Sequence, residues 1–188
     1  MTVRAGVIFL DIDGVMLPKR AYALAENKAE LSEVGSISSA RPDRIRLHPD
    51  AIAALTEIYT RIPEVRLVLC TSWRHSVGVS ETIACLERNG IGKAYWHEDR
   101  ACPWMPPTDE AAGLGANTGS SKAEDIAAWL DRHRGTVSRW VALDDDGDLG
   151  RMLLSVAVPG VFVQIDGNLG LTQADVPTVL SAFACISN

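Results

Sequence analysis

Val7-Ile8-Phe9-Leu10-Asp11-Ile12-Asp13-Gly14-Val15 (VIFLDIDGV, residues 7–15) is the stretch that decides the fold. Its apolar opening reads as a strand buried on both faces, because a strand with one wet face would alternate apolar with polar residues. The run ends in two aspartates with one residue between them, and then a glycine. Side chains along a strand repeat every second residue, so Asp11 and Asp13 fall on one side while Ile12 turns the other way. Gly14 lets the backbone turn sharply where the strand ends. Two carboxylates this close are not both comfortably ionised unless a cation sits between them or one holds a proton.

Four further short apolar runs follow: residues 65–70 (VRLVLC), 93–96 (KAYW), 139–143 (RWVAL) and 160–164 (GVFVQ). Helical patterns separate them. One begins near Pro49 and carries Ile52, Leu55, Ile58, Tyr59 and Ile62 on one face until Pro63 ends it. A second fits residues 80–89, with Ile83 and Leu86 inward and Gly90 as a left-handed cap. A third opens at Ser121, which pairs with Glu124 as a capping box, and runs through Ile126, Trp129 and Leu130 to Gly135. The last starts between Thr172 and Asp175 and buries Val176, Val179, Leu180 and Phe183. The pattern predicts one α/β domain over residues 1–188, with helices on both faces of a mainly parallel five-stranded sheet.

Two inserts fit neither strand nor helix of that sheet. Residues 16–47 contain a run of good helix formers at 21–34 (AYALAENKAELSEV) that stops at Gly35, read as a short helical flap. Residues 97–119 are crowded with proline and glycine and read as a loop. Both inserts follow strands whose carboxyl ends would face one crevice, where functional loops of this length collect.

The 188 residues are 47% hydrophobic and 22% charged, which is ordinary for a globular chain and excludes disordered and fibrous classes. A net charge of -6 excludes broad binding of duplex nucleic acid through a basic face. Cys70, Cys85, Cys102 and Cys185 form no CxxC pair, so neither zinc nor redox chemistry is expected of them. The histidines at 48, 75, 97 and 133 have no metal-pair spacing and read as caps and surface groups. No signal peptide and no membrane span is expected, which predicts a cytoplasmic protein.

Three more elements follow the paired aspartates in order. Thr71-Ser72-Trp73-Arg74 comes directly after the second strand, where a hydroxyl and backbone amides could hold a phosphate oxygen and Arg74 could add a charge-assisted bond. Lys122 stands in the first turn of the third helix, against the helix dipole, which makes sense if it points into an anionic site. Leu143-Asp144-Asp145-Asp146-Gly147-Asp148 follows the fourth strand, and like charges packed this closely call for a metal. Each element has a bland reading as a cap or a solvated turn. Four in this order do not.

DxDGV, a strand ending in Thr-Ser, a lysine at a helix start and a strand ending in LDD resemble the haloacid dehalogenase (HAD) superfamily along the whole chain. LDIDGV, CTSWR and WVALDDD look most like the HAD domain of RNA-repair proteins, and more distantly like the phosphatase domain of polynucleotide kinase-phosphatases. The resemblance implies a three-layer α/β/α Rossmannoid fold and a phosphatase with Asp11 as nucleophile and Asp13 as general acid and base. It implies Mg2+ held by the Asp11 carboxylate, the Asp13 carbonyl and Asp144, with Asp145 as a further ligand or as a group orienting water. Lys122 and the hydroxyl of Thr71 or Ser72 would grip the phosphoryl oxygens beside Gly14.

The inserts are too short for a separate cap domain with a core of its own, so an open site is expected. Openness favours a phosphate at the end of a polymer or on a protein, with Lys19, Arg20, Arg41, Arg44 and Arg46 as candidate contacts from the flap, and the resemblance to RNA-repair proteins implies a nucleotide or a single-stranded polynucleotide end. Trp73 and Trp104 could stack on a base, while Trp96 reads as core. A small-metabolite phosphatase is the alternative, and a phosphate-binding module without turnover is the alternative from another class.

Overall fold

The computed structural model describes residues 5–35, 40–103 and 121–184. β1 (Ala5–Leu10), β2 (Arg66–Leu69), β3 (Trp96–Ala101), β4 (Val137–Asp144) and β5 (Gly160–Gln164) form one sheet in the order β3-β2-β1-β4-β5, with every pairing parallel. The helices are α1 (Ala25–Val34), α2 (Pro49–Arg61), α3 (Trp73–Ser76), α4 (Val79–Arg88), α5 (Lys122–Arg132), α6 (Gly147–Met152) and α7 (Val176–Ala184).

The period of two sorts the strand residues between two cores. Ile8, Leu10, Leu67, Leu69, Val141 and Leu143 pack with α2, α4 and α7. Val7, Phe9, Val68, Cys70, Trp140 and Ala142 pack with α5 and α6. Continuing the second set by one step from Phe9 and from Ala142 reaches Asp11 and Asp144. Both acids therefore lean to the side of the sheet that α5 covers. The chain steps outward from β1 through β2 to β3, then returns to the other side of β1 as β4. The crevice between the carboxyl ends of β1 and β4 is the place where such sheets bind ligands.

Three local expectations change. The third strand is not 93–96: Lys93–Tyr95 form a 3-10 turn in which Tyr95 stacks on Tyr59 at 3.9 Å, and the strand runs on through His97-Glu98-Asp99-Arg100. As an edge strand with an exposed side it needs no apolar run, and its polar residues hid it. The expected loop at 97–119 therefore begins as strand, and residues 104–120, with Trp104, lie outside the described part, as does Cys185. The flap helix is also split. Residues Lys19–Ala23 form a 3-10 turn, Leu24 is extended, and α1 follows, ending at Gly35 with φ +80°. Its inner face is polar. Asn27 bridges the Ala21 carbonyl to both the carbonyl and the N–H of Arg46, and Glu30 accepts from the Arg41 N–H at 2.8 Å.

The flap is moored to the loop after β5 by backbone bonds from Lys19 N to Gly167 O, Arg20 N to Asn168 O and Leu171 N to Val15 O, at 3.0 to 3.2 Å. No described helix is long and apolar enough to cross a membrane.

Candidate active site

Asp11 continues the β1–β4 ladder by one residue, its N–H donating to Leu143 O at 3.1 Å, which places its carboxylate beside that of Asp144. The two residues are 4% and 2% exposed. Ser121 and Glu124 form the expected capping box at the start of α5, so the first helical residue, Lys122, is fixed above the strand ends. Its Nζ donates to Asp11 Oδ2 at 2.8 Å and to Asp144 Oδ2 at 2.7 Å. Burial raises the Asp11 pKa to about 7 against the pull of Lys122, and the neighbouring Asp144 charge adds to the rise. Burial likewise raises Asp144 against Lys122. Burial alone would lower Lys122, but the two carboxylates outweigh it and its pKa is raised, so the ammonium keeps its charge.

Asp145 is exposed and brings a third carboxylate: one oxygen each from Asp11, Asp144 and Asp145 lies within 4.8 Å of the others. Two glycines make room for it. A Cβ on Gly14, where φ is +73°, or on Gly167 would overlap the Asp145 carboxylate. Three acids face one ammonium, and Asp11 Oδ1 is buried with no hydrogen-bond partner among the described residues. An all-oxygen set with net negative charge and an unpaired buried oxygen fits a hard divalent cation such as Mg2+. The Asp13 side chain stands outside this set. The rest of the acidic run shapes the turn into α6: Asp146 N donates to Asp144 Oδ1, the Asp146 side chain caps α6, and Asp148 pairs with Arg151.

Asp13 is half-buried, and Trp73 Nε1 donates to its Oδ2 at 3.0 Å. Burial raises the Asp13 pKa and the Trp73 bond opposes that rise. Its other oxygen, Oδ1, is buried without a hydrogen-bond partner among the described residues. Tyr22, from the flap, is close enough to Asp13 and Asp145 that burial and these two charges raise its phenol pKa. Sequence reasoning missed Tyr22, Gly167 and the Trp73–Asp13 bond. Only Gly167, in the Ile165-Asp166-Gly167-Asn168 turn after a strand, left a local signal.

Within the Thr71-Ser72-Trp73-Arg74 segment, Trp73 and Arg74 are used differently from expectation. Thr71 is wholly buried and its hydroxyl accepts from Trp73 N at 3.4 Å, while Ser72 is exposed. Trp73 is 7% exposed and packed in the core, so it is no stacking platform. Arg74 was expected to face phosphate. It is instead 8% exposed and donates to the carbonyls of Thr71, Cys102 and Pro103 and to Asp125 Oδ2, the last at 2.8 Å. Burial of a guanidinium demands such partners, and they tie α3 to the end of β3 and to α5. The flap cations are largely paired as well: Arg20 with Asp50, Arg41 with Glu30, and Arg44 with both Glu30 and Glu33, while Arg46 lies 4.0 Å from Glu26. Trp96 is core, as expected, and His48 caps α2.

A parallel sheet with acids at the ends of β1 and β4, and a lysine reaching both from a helix start, is the layout of the HAD superfamily. The chain belongs to the family described as the HAD domain in Swiss Army Knife RNA repair proteins, whose model matches residues 7–176. The fold is similar to the HAD domain of the effector protein Lem4 from Legionella pneumophila, with 12% identity, a TM-score of 0.53 and 100% of each chain covered. It is also similar to the Legionella pneumophila effector Ceg4, with 12% identity, a TM-score of 0.51, and 97% of this chain and 96% of that one covered. No curated protein sequence matches the chain.

Proposed function

We propose that this chain is a magnesium-dependent phosphomonoester hydrolase working through an aspartyl-phosphate on Asp11. The observation that carries the reading is the state of Asp11: a buried carboxylate at a strand end, held on one oxygen by Lys122 and unpartnered on the other among the described residues, inside a three-carboxylate cluster. Asp11, Asp144 and Asp145, with the Asp13 carbonyl, would hold the ion. When bound, magnesium supplies the positive charge that lets an anionic phosphate approach an anionic nucleophile.

In the first step an Asp11 oxygen bonds to phosphorus, the bond to the leaving oxygen breaks, and Asp13 gives that oxygen a proton. Lys122 neutralises charge on the phosphoryl oxygens, and the hydroxyl of Thr71 or Ser72 holds one of them. In the second step water attacks phosphorus and gives its proton to Asp13, which releases inorganic phosphate and restores Asp11. The substrate follows the family: a nucleotide or a polynucleotide end phosphate of the kind met in RNA repair. The ion-paired flap arginines favour a second reading, a small phosphorylated metabolite, since those cations are already partnered within the flap and its neighbours. A cytoplasmic setting is supported by Cys70, Cys85 and Cys102, all free and buried.

The test is hydrolysis of p-nitrophenyl phosphate with Mg2+, abolished in Asp11→Asn. An inactive wild type that still binds inorganic phosphate turns the reading into a binding module. Oligonucleotides with 3'- or 5'-phosphates are then compared with mononucleotides and sugar phosphates. Sugar phosphates ahead by orders of magnitude overturn the RNA-repair substrate.

A further inference from the structure

We propose that Trp73 is the positioning residue of Asp13, setting which of its two oxygens meets the leaving group. The inference rests on the phosphatase chemistry proposed above and deepens it. The Trp73 indole N–H lies 3.0 Å from Asp13 Oδ2. An indole nitrogen only donates; it neither accepts nor titrates. Oδ2 must therefore remain an acceptor, and Oδ1, buried with no partner among the described residues, is the oxygen left to pass a proton to the departing alkoxide. Without that bond the carboxylate is free to rotate about its terminal torsion, which is broad and roughly two-fold.

The residue that carries the indole is itself held in place. Trp73 is 7% exposed within the core, its backbone N–H donates to Thr71 Oγ1 at 3.4 Å, and its backbone carbonyl accepts from Val77 N at 2.9 Å and Gly78 N at 3.0 Å. The adjoining Arg74 fastens the same turn to the end of β3 and, through Asp125, to the helix that carries Lys122. One rigid turn thus positions Asp13 directly and braces the Lys122 helix. The bond spans 60 positions of sequence, which is why the TSWR segment did not announce it.

The experiment measures kcat/KM for Trp73→Phe with p-nitrophenyl, phenyl and alkyl phosphates in Mg2+, since a misplaced general acid matters most where the leaving group is poorest. The expected loss grows by about tenfold or more from p-nitrophenyl to alkyl phosphate. In an Asp13→Asn background, followed on p-nitrophenyl phosphate, Trp73→Phe changes kcat/KM no further. Should Trp73→Phe unfold, benzothienylalanine at position 73 keeps the ring shape, replaces the N–H with sulfur and gives the same readout. An equal loss across all three leaving groups, or an additive loss in the Asp13→Asn background, overturns the proposal while leaving the phosphatase reading intact. A wild type that hydrolyses none of the three removes both.

Discussion

Replacing Lys122 with methionine keeps the length of the side chain and removes the only cation that touches Asp11 and Asp144 among the described residues. The two side chains, 5% and 2% exposed and one step beyond a paired register position, are left with no counter-charge among the described residues. Breaking a buried pair by removing one partner costs about 3 to 5 kcal/mol. The Lys122 side chain is 28% exposed, so water reaches one side of the pair and the lower end, about 3 kcal/mol, applies. For a chain of this size that lowers Tm by roughly 6 to 12 °C. The pH dependence has a definite sign. Burial raises the Asp11 pKa to about 7 in the fold, above the usual carboxylate range, so the fold binds the proton more tightly than the unfolded chain. Metal-free stability therefore falls as pH rises from about 4 through about 7, and removing Lys122 steepens that fall. Urea denaturation in EDTA at pH 5 and pH 8 measures both effects. A variant as stable as wild type at pH 8, or one whose deficit is the same at both pH values, would refute the account of Lys122 as the counter-charge of two buried acids.

Arg74→Met takes the guanidinium away from the buried Asp125 carboxylate and Asp125→Asn takes the opposite charge away from the buried Arg74, the two side chains being 3% exposed apiece, and each lowers urea-unfolding stability by about 3 to 5 kcal/mol. Arg74→Met combined with Asp125→Leu recovers most of that loss; a double variant as unstable as the sum of the singles counts against a structural pair. Gly167→Ala pushes a methyl into the Asp145 carboxylate and weakens Mg2+ binding, read by isothermal titration, by about tenfold or more. Unchanged affinity there removes Asp145 from the ion's surroundings.

The strands announced by apolar runs, β1, β2, β4 and β5, were legible because both faces of a central sheet are buried, and burial writes itself into composition. The edge strand β3 was not, because a strand with a wet side has no such constraint. The same contrast runs through the site. Asp11, Lys122 and Asp144 could be read because each sits at the end of an element the sequence announces: a strand, a capped helix and another strand. Arg74 looked like an anion contact by residue type alone, and the flap arginines looked like a substrate surface. Their partners, Asp125, Glu30, Glu33 and Asp50, lie 51, 11 or 14, 11, and 30 positions away, so pairing was invisible from local pattern.

The sequence by itself determined the α/β class, the strand-end acids and the membership that four ordered motifs imply, since periodicity, capping and turn chemistry act over a few residues. The tertiary structure alone decided which charges face the crevice and which are consumed in holding it: Lys122 between Asp11 and Asp144, Arg74 turned to Asp125, Trp73 bound to Asp13, and Gly14 with Gly167 cradling Asp145. Those assignments depend on contacts between elements far apart in the chain, where packing and desolvation, not residue type, choose the partner.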